Sequence, residues 1–297
     1  MRSSSTLTAM LVITLVGCAP SPQVAAPATH RIAFLAHTEG FWQVFVANAD
    51  GTATRQLTRS PTEKARVSWF PDGRGLLVDT QEGELLRVDA ETSTETPVRL
   101  PVLGMLDAVV SADGLKVTFS LTQSDSRDAN ELWVCDLDGG GLRQLTNRAG
   151  LQYEPAWDPR GARIYYLSNL GPGGSHDIWR ISADGSEDEQ LTFGELRYLD
   201  VAVSSRGEIA YSGNQRGSFD VWLKPPKQVP VQLTEDPALD AHPSFSPDGE
   251  VVVFESSRGG VSNIWRVARA GGPSQQVTRL NAPGARRPVW APTPVAP

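Results

Sequence analysis

The sequence predicts an all-β fold, a closed ring of six four-stranded antiparallel blades of the β-propeller type. Three observations predict it. An aromatic or aliphatic anchor recurs four positions before a turn glycine, at Trp69, Val110, Trp157, Val203 and Phe245, in WFPDG, VSADG, WDPRG, VSSRG and FSPDG. A polar-aliphatic-aromatic or aliphatic triplet recurs six times, as Gln43-Val44-Phe45, Glu84-Leu85-Leu86, Glu131-Leu132-Trp133, Asp177-Ile178-Trp179, Asp220-Val221-Trp222 and Asn263-Ile264-Trp265. Each unit then closes on Leu57, Leu100, Leu145, Leu191, Leu233 or Val277, at successive gaps of 43, 45, 46, 42 and 44 residues. A near-constant period of this length, with several short strands in each, marks a repeat whose units bury their faces only against one another.

The stretch Ala241–Thr278 shows one unit most plainly. HPSF reads as a first strand and SPDG as a turn, with Pro247 fixing φ and Gly249 permitting the left-handed region. EVVVFES is a second strand of β formers, NIWRVA a third, and SQQVT a short outer fourth. Six triplets against five internal first strands leave one blade incomplete. Arg287-Pro288-Val289-Trp290-Ala291-Pro292 copies Glu154-Pro155-Ala156-Trp157-Asp158-Pro159, so the C-terminal strand is expected to pair with His30–Ala36 and complete blade one. Closure of this kind removes the exposed edge strand.

Ahead of the ring, Arg2 and the apolar run Thr6 to Val16 read as a signal peptide, since eleven residues are too few to span a bilayer. Leu15-Val16-Gly17-Cys18 resembles the lipobox of bacterial lipoproteins, in which cleavage before the cysteine is followed by its lipidation. Ala19 after it implies, by the same resemblance, delivery to the outer membrane. Residues 19–29, APSPQVAAPAT, read as an extended tether with a reach on the order of 30 Å. The expected division is 1–17 lipoprotein signal, 18–29 lipid-anchored tether, 30–292 propeller and 293–297 tail.

Formal net charge is -7 with the signs mixed and no basic run, which argues against nucleic acid and against a polybasic membrane patch. With Cys18 lipidated, Cys135 has no disulfide partner and is expected to be a buried free thiol. Seven of the eight tryptophans fall in the first-strand or third-strand register and read as inter-blade core, and only Trp42 is out of register. A single monomeric ring is expected.

A repeated P-x-W-S-P-D-G, I-x-F-x-S, D-I-W and L-T pattern is carried best by Pro155–Gly161, Asp177–Trp179 and Pro243–Ser256. It resembles the propeller of the TolB family, the periplasmic component of the Tol-Pal system, over about residues 30 to 292. TolB proteins carry an α/β domain before the propeller, whereas here the propeller follows the tether directly. The resemblance implies an exported binding module with an envelope protein, Pal-like, as partner.

Catalytic motifs are sparse. There is no G-x-S-x-G, and His30, His37, His176 and His242 show no metal-ligand spacing. Asp136-Leu137-Asp138-Gly139 lacks the later acidic ligand of a calcium loop and reads as a turn. No cofactor and no metal are expected. One constellation stands out. The residues three positions before each first-strand anchor are Arg66, Asp107, Glu154, Asp200, His242 and Arg287. All six are ionisable, where roughly a quarter of residues in an average chain are charged. They should ring one mouth of the central channel, acidic on blades three to five and basic elsewhere. The loops Thr122–Asn130, Asn169–Ser175 and Gly213–Ser218 should open on the same face. The expected function is a lipid-anchored, periplasm-facing binding module for an envelope protein, engaged at that mouth. The alternative is a propeller lyase or hydrolase that uses the clustered carboxylates on a carbohydrate or peptide.

Overall fold

The computed structural model describes residues 30–122, 129–170, 174–194, 197–214 and 217–293. Cys18, the signal segment and the tether lie outside the described residues, as do parts of the three loops named above. Among the described residues, 24 strands form six four-stranded sheets. Each inner strand runs along the central channel: Lys64–Trp69, Met105–Val110, Gln152–Trp157, Arg197–Val203, Asp240–Phe245 and Ala285–Trp290. Blade one is completed as expected by the C-terminal strand, with Ile32 opposite Trp290 and Ala36 opposite Ala285.

The hydrophobic core is divided into six clusters, and each lies between adjacent blades. One cluster joins Ala33, Val44 and Val46 of blade one to Trp69, Leu76 and Val78 of blade two, and another joins Phe34 and Trp290 to Val253 and Ile264 across the closure. A blade alone would leave both faces wet, so the burial that stabilises the ring exists only when the ring is complete. Of the tryptophans, Trp69, Trp179 and Trp290 are buried, while Trp133, Trp157, Trp222 and Trp265 pack against the clusters partly buried. Trp42 is also core: it is half-buried against the blade one–two cluster, with the Arg286 guanidinium 3.8 Å above its ring centroid. Cys135 is a buried free thiol, and burial pushes its pKa up to about 11.

The closing L-T pair has a specific chemistry. Thr192 Oγ1 accepts from the Ile178 N–H at 2.9 Å and donates to Asp177 Oδ1 at 2.9 Å, and the same carboxylate oxygen accepts from Gly194 N–H at 2.8 Å. Thr58 with Gln43, Thr146 with Glu131, Thr234 with Asp220 and Thr278 with Asn263 repeat the arrangement. The polar head of each triplet therefore satisfies buried groups where the outer strand ends. Blade two is the exception. Leu100 is followed by proline, and the blade instead has a longer outer strand, Glu95–Val98.

Candidate functional site

Every inner strand slips register against its neighbour near the ionisable position. The slips fall between Lys64 and Arg66, Leu106 and Val109, Tyr153 and Ala156, Tyr198 and Val201, Ala241 and Ser244, and opposite Ala33 and Leu35 in blade one. These are β-bulges, which re-aim one side chain and leave a backbone N–H without its ladder partner. Asp107, Glu154, His242 and Arg287 sit at φ 58°, 51°, 53° and 51°, a left-handed conformation uncommon for residues with a side chain.

Carboxylates of the preceding blade take up the freed amides. Asp107 Oδ2 accepts from Glu154 N–H at 3.3 Å, Asp200 Oδ2 from His242 N–H at 2.7 Å, and Glu255 Oε2 from Arg287 N–H at 3.2 Å. Asp79 Oδ2 accepts from Ala108 N–H at 3.4 Å in the same role. Asp79 and Glu255 were not singled out in the sequence. The available signal was a carboxylate inside an otherwise apolar second strand, GLLVDT and VVVFES.

The structure brings the six expected residues together, but not as an open mouth with separate acidic and basic halves. Glu154 accepts from Arg66 Nη1 at 2.5 Å and from Arg287 Nη1 at 3.0 Å. Arg287 belongs to blade one and Glu154 to blade four, on opposite sides of the ring, so the pair spans the channel. Arg66 also lies 3.5 Å from Asp107 and donates to the Pro155 carbonyl at 3.0 Å. His242 Nδ1 is 3.1 Å from Glu255. Opposite charges attract across a narrow low-dielectric channel more strongly than like neighbours can share one sector. The ring therefore closes on itself as a plug.

The plug sorts its carboxyls. Burial alone would raise Glu154, but Arg287 and Arg66 outweigh it and hold the group at about 2. Burial raises Asp107, helped by the charge on Glu154. Burial raises Asp200, which accepts from Ser212 N–H at 3.0 Å, Ser212 Oγ and His242 N–H, all uncharged donors. Burial takes Asp79 to about 7.

On one side of the plug lies a cavity of about 550 Å³. Arg66, Glu154, Asp200, His242 and Arg287 form its floor. Its wall carries one small residue from each blade: Ser68, Val109, Ala156, Ala202, Ser244 and Val289. Its rim is Pro71, Ala112, Pro159, Ser205, Pro247 and Pro292, at the turns that follow the inner strands. The shaft thus opens on the face opposite the strand two–three loops, and the expected loop face is the plugged one. Among the described residues no group of three or more His, Cys, Asp or Glu side chains is arranged to hold a metal ion.

Comparison with known proteins places this architecture. A "Protein TolB homolog" of Chlorobium chlorochromatii is 28% identical over 192 residues, 62% of this chain and 42% of that protein. A "Tol-Pal system protein TolB" of Anaeromyxobacter dehalogenans is 28% identical over 130 residues, 43% of this chain and 29% of that protein. The matches thus span less than half the length of these curated relatives. The crystal structure of TolB from Acinetobacter baumannii superposes with a TM-score of 0.76 at 23% identity, covering 90% of this chain and 67% of that one, which shows a shared fold. The TolB beta propeller domain matches residues 107–293, more than half of the chain, and the protein belongs to that family.

Proposed function

We propose that this protein is a binding module of the bacterial envelope, anchored by lipid at Cys18 to the outer membrane, that holds a segment of a Pal-like partner protein in its central shaft. The observation that carries the reading is the shaft itself, with a charged floor at one end, small walls and a proline rim at the other. Concave sites with apolar walls and a few convergent polar groups are where ligands bind. The relatives named for TolB and the Tol-Pal system support a Pal-like partner. The floor supports binding over acid–base catalysis. Glu154 is held ionised between two arginines and Asp107 lies against Arg66 and a bulge amide, which leaves Asp200 as a single carboxyl facing the shaft and not a pair poised as acid and base.

The test is capture of the partner from detergent-solubilised envelopes by the unmodified protein and by Ala202→Leu, which fills the shaft wall. Loss of one prominent partner with the variant, at unchanged melting temperature, is the expected result. Equal capture by both proteins overturns the reading. Cys18→Ser should move the protein from the membrane fraction to the soluble one, and an unmodified Cys18 in the intact mass would refute the anchor.

A further inference from the structure

The cavity floor itself is balanced, Arg66 and Arg287 against Glu154 and Asp200, but the carboxyls packed around it outnumber the cations. Five carboxyls, Asp79, Asp107, Glu154, Asp200 and Glu255, gather around Arg66, Arg287 and His242. Glu154 takes both arginines, and His242 faces Glu255. Among the described residues that leaves Asp200, 5% exposed, lining the cavity with no ion pair and only uncharged donors on its oxygens, with His242 acting on it through space. A buried carboxylate without a direct ion pair is costly, and a cation delivered to it is correspondingly favoured.

The dimensions restrict what can deliver that cation. From floor to rim the inner strands run five residues, about 16 Å at a strand's rise. A volume of about 550 Å³ over that length gives a cross-section of a few tens of Å². That is comparable with the roughly 4.8 by 10 Å that one strand occupies in packed sheets. One extended chain fits end-on, and a folded domain does not. The wall residues Ser68, Ala156, Ala202 and Ser244 bring no ionisable group, and Asp158, the carboxylate in the lining near the rim, uses Oδ1 on the Ala162 and Arg163 amides of its own turn.

We propose that the shaft takes the end of an extended polypeptide led by an ammonium group, which passes the proline rim and pairs with Asp200 at the floor. The inference rests on the shaft being the binding site and adds the chemistry and direction of the segment that enters. The ammonium is either a free N-terminus or a terminal lysine side chain. A segment led by its carboxylate would find Arg66 and Arg287 already paired with Glu154 and would face Asp200.

The experiment uses synthetic probes on the intact protein. Ala-Pro-Ala-Pro-Ala carrying a fluorophore at its C-terminus is titrated by anisotropy in three forms: free N-terminus, acetylated N-terminus, and acetylated N-terminus with a Lys as first residue. A fourth probe carries the fluorophore at the N-terminus and a free C-terminal carboxylate. The free-amino or lysine-led probe should bind about ten-fold or more tightly than its uncharged acetylated twin, the value of one charge-assisted bond. Asp200→Asn should erase that ratio, and Ala202→Leu should abolish binding of every probe. Equal affinity of charged and acetylated probes, tighter binding of the carboxylate-led probe, or no binding of any probe overturns the proposal. If the carboxylate-led probe binds and Ala202→Leu blocks it, the shaft stands as the site and only the ammonium-led direction falls. Should Asp200→Asn fail to fold, the comparison of free and acetylated probes on the unmodified protein decides alone.

Discussion

Replacing Glu154 with alanine should unfold the protein at a distinctly lower temperature, because the residue is the one anion that two arginines share across the channel. The Glu154 side chain is 9% exposed, Arg66 14% and Arg287 28%. Removing one partner of a buried ion pair costs about 3–5 kcal/mol, since the opposite charge stays buried without compensation. The partial exposure of Arg287 argues for the lower end, about 3 kcal/mol. For a domain of this size each kcal/mol shifts the midpoint by roughly 2–3 °C. The expected fall is therefore about 6–9 °C, read by calorimetry or circular dichroism at pH 7. The control is Glu154→Leu combined with Arg66→Met and Arg287→Met, which removes the whole pair and should melt closer to the unmodified protein. The pH dependence has a definite sign. Glu154 is depressed from 4.5 to about 2, so its contribution is complete above 4.5 and is lost as pH falls toward 2. The gap between unmodified and Glu154→Ala proteins should narrow over that window. A Glu154→Ala protein melting within about 2 °C of the unmodified one at pH 7 would refute the plug as a stabilising element.

Three further outcomes follow from the same structure. Asp79 is raised from 3.8 to about 7, so the folded state binds its proton more tightly and stability should fall as pH rises from 4 to 7; Asp79→Asn should flatten that slope, and an unchanged slope in urea titrations would contradict the assignment. Thr192→Val removes the hydroxyl that serves both Ile178 N–H and Asp177, so denaturant unfolding should show a loss of about 1–3 kcal/mol, whereas a loss under 0.5 kcal/mol would deny the lock its role. Deleting Arg287 to Pro297 strips blade one of its inner strand and of Trp290, which is 6% exposed, so the truncated chain should lose cooperative melting; retention of the original midpoint would refute closure by that strand.

The blade count, the third strands and the C-terminal closure were legible because they depend on residue period alone. A triplet every 41 to 47 residues fixes the repeat whatever the detailed packing. The ionisable series was legible for the same reason, as one position read across six copies. Its geometry was not. A bulge inserts a residue without a sequence mark, and four of the six positions adopt φ values that Asp, Glu, His and Arg rarely show. Nor does a list of charges state who pairs with whom, and Arg287 reaches Glu154 from 133 residues away. Reading the series as a charged mouth missed that Asp107 and Asp200 serve amides freed by the bulges while Glu154 is taken by two arginines. It also placed the opening on the wrong face, since the shaft opens at the prolines and serines of the turns. Asp79 and Glu255 escaped notice because attention fell on inner strands, although a carboxylate amid GLLVDT and VVVFES has no reason to be there without a buried donor.

The central claim is that a partner segment enters the shaft from the proline-rimmed end. Site-specific photo-crosslinking in the intact envelope tests it most directly. A photoreactive side chain is placed at Ser205 on the rim, and in a second protein at Leu103, an 88% exposed residue on the opposite face. Irradiation should join the Ser205 protein to one discrete partner, and Ala202→Leu in the same protein should abolish that adduct. A discrete adduct from Leu103 with none from Ser205 would contradict the account and move the binding surface to the plugged face.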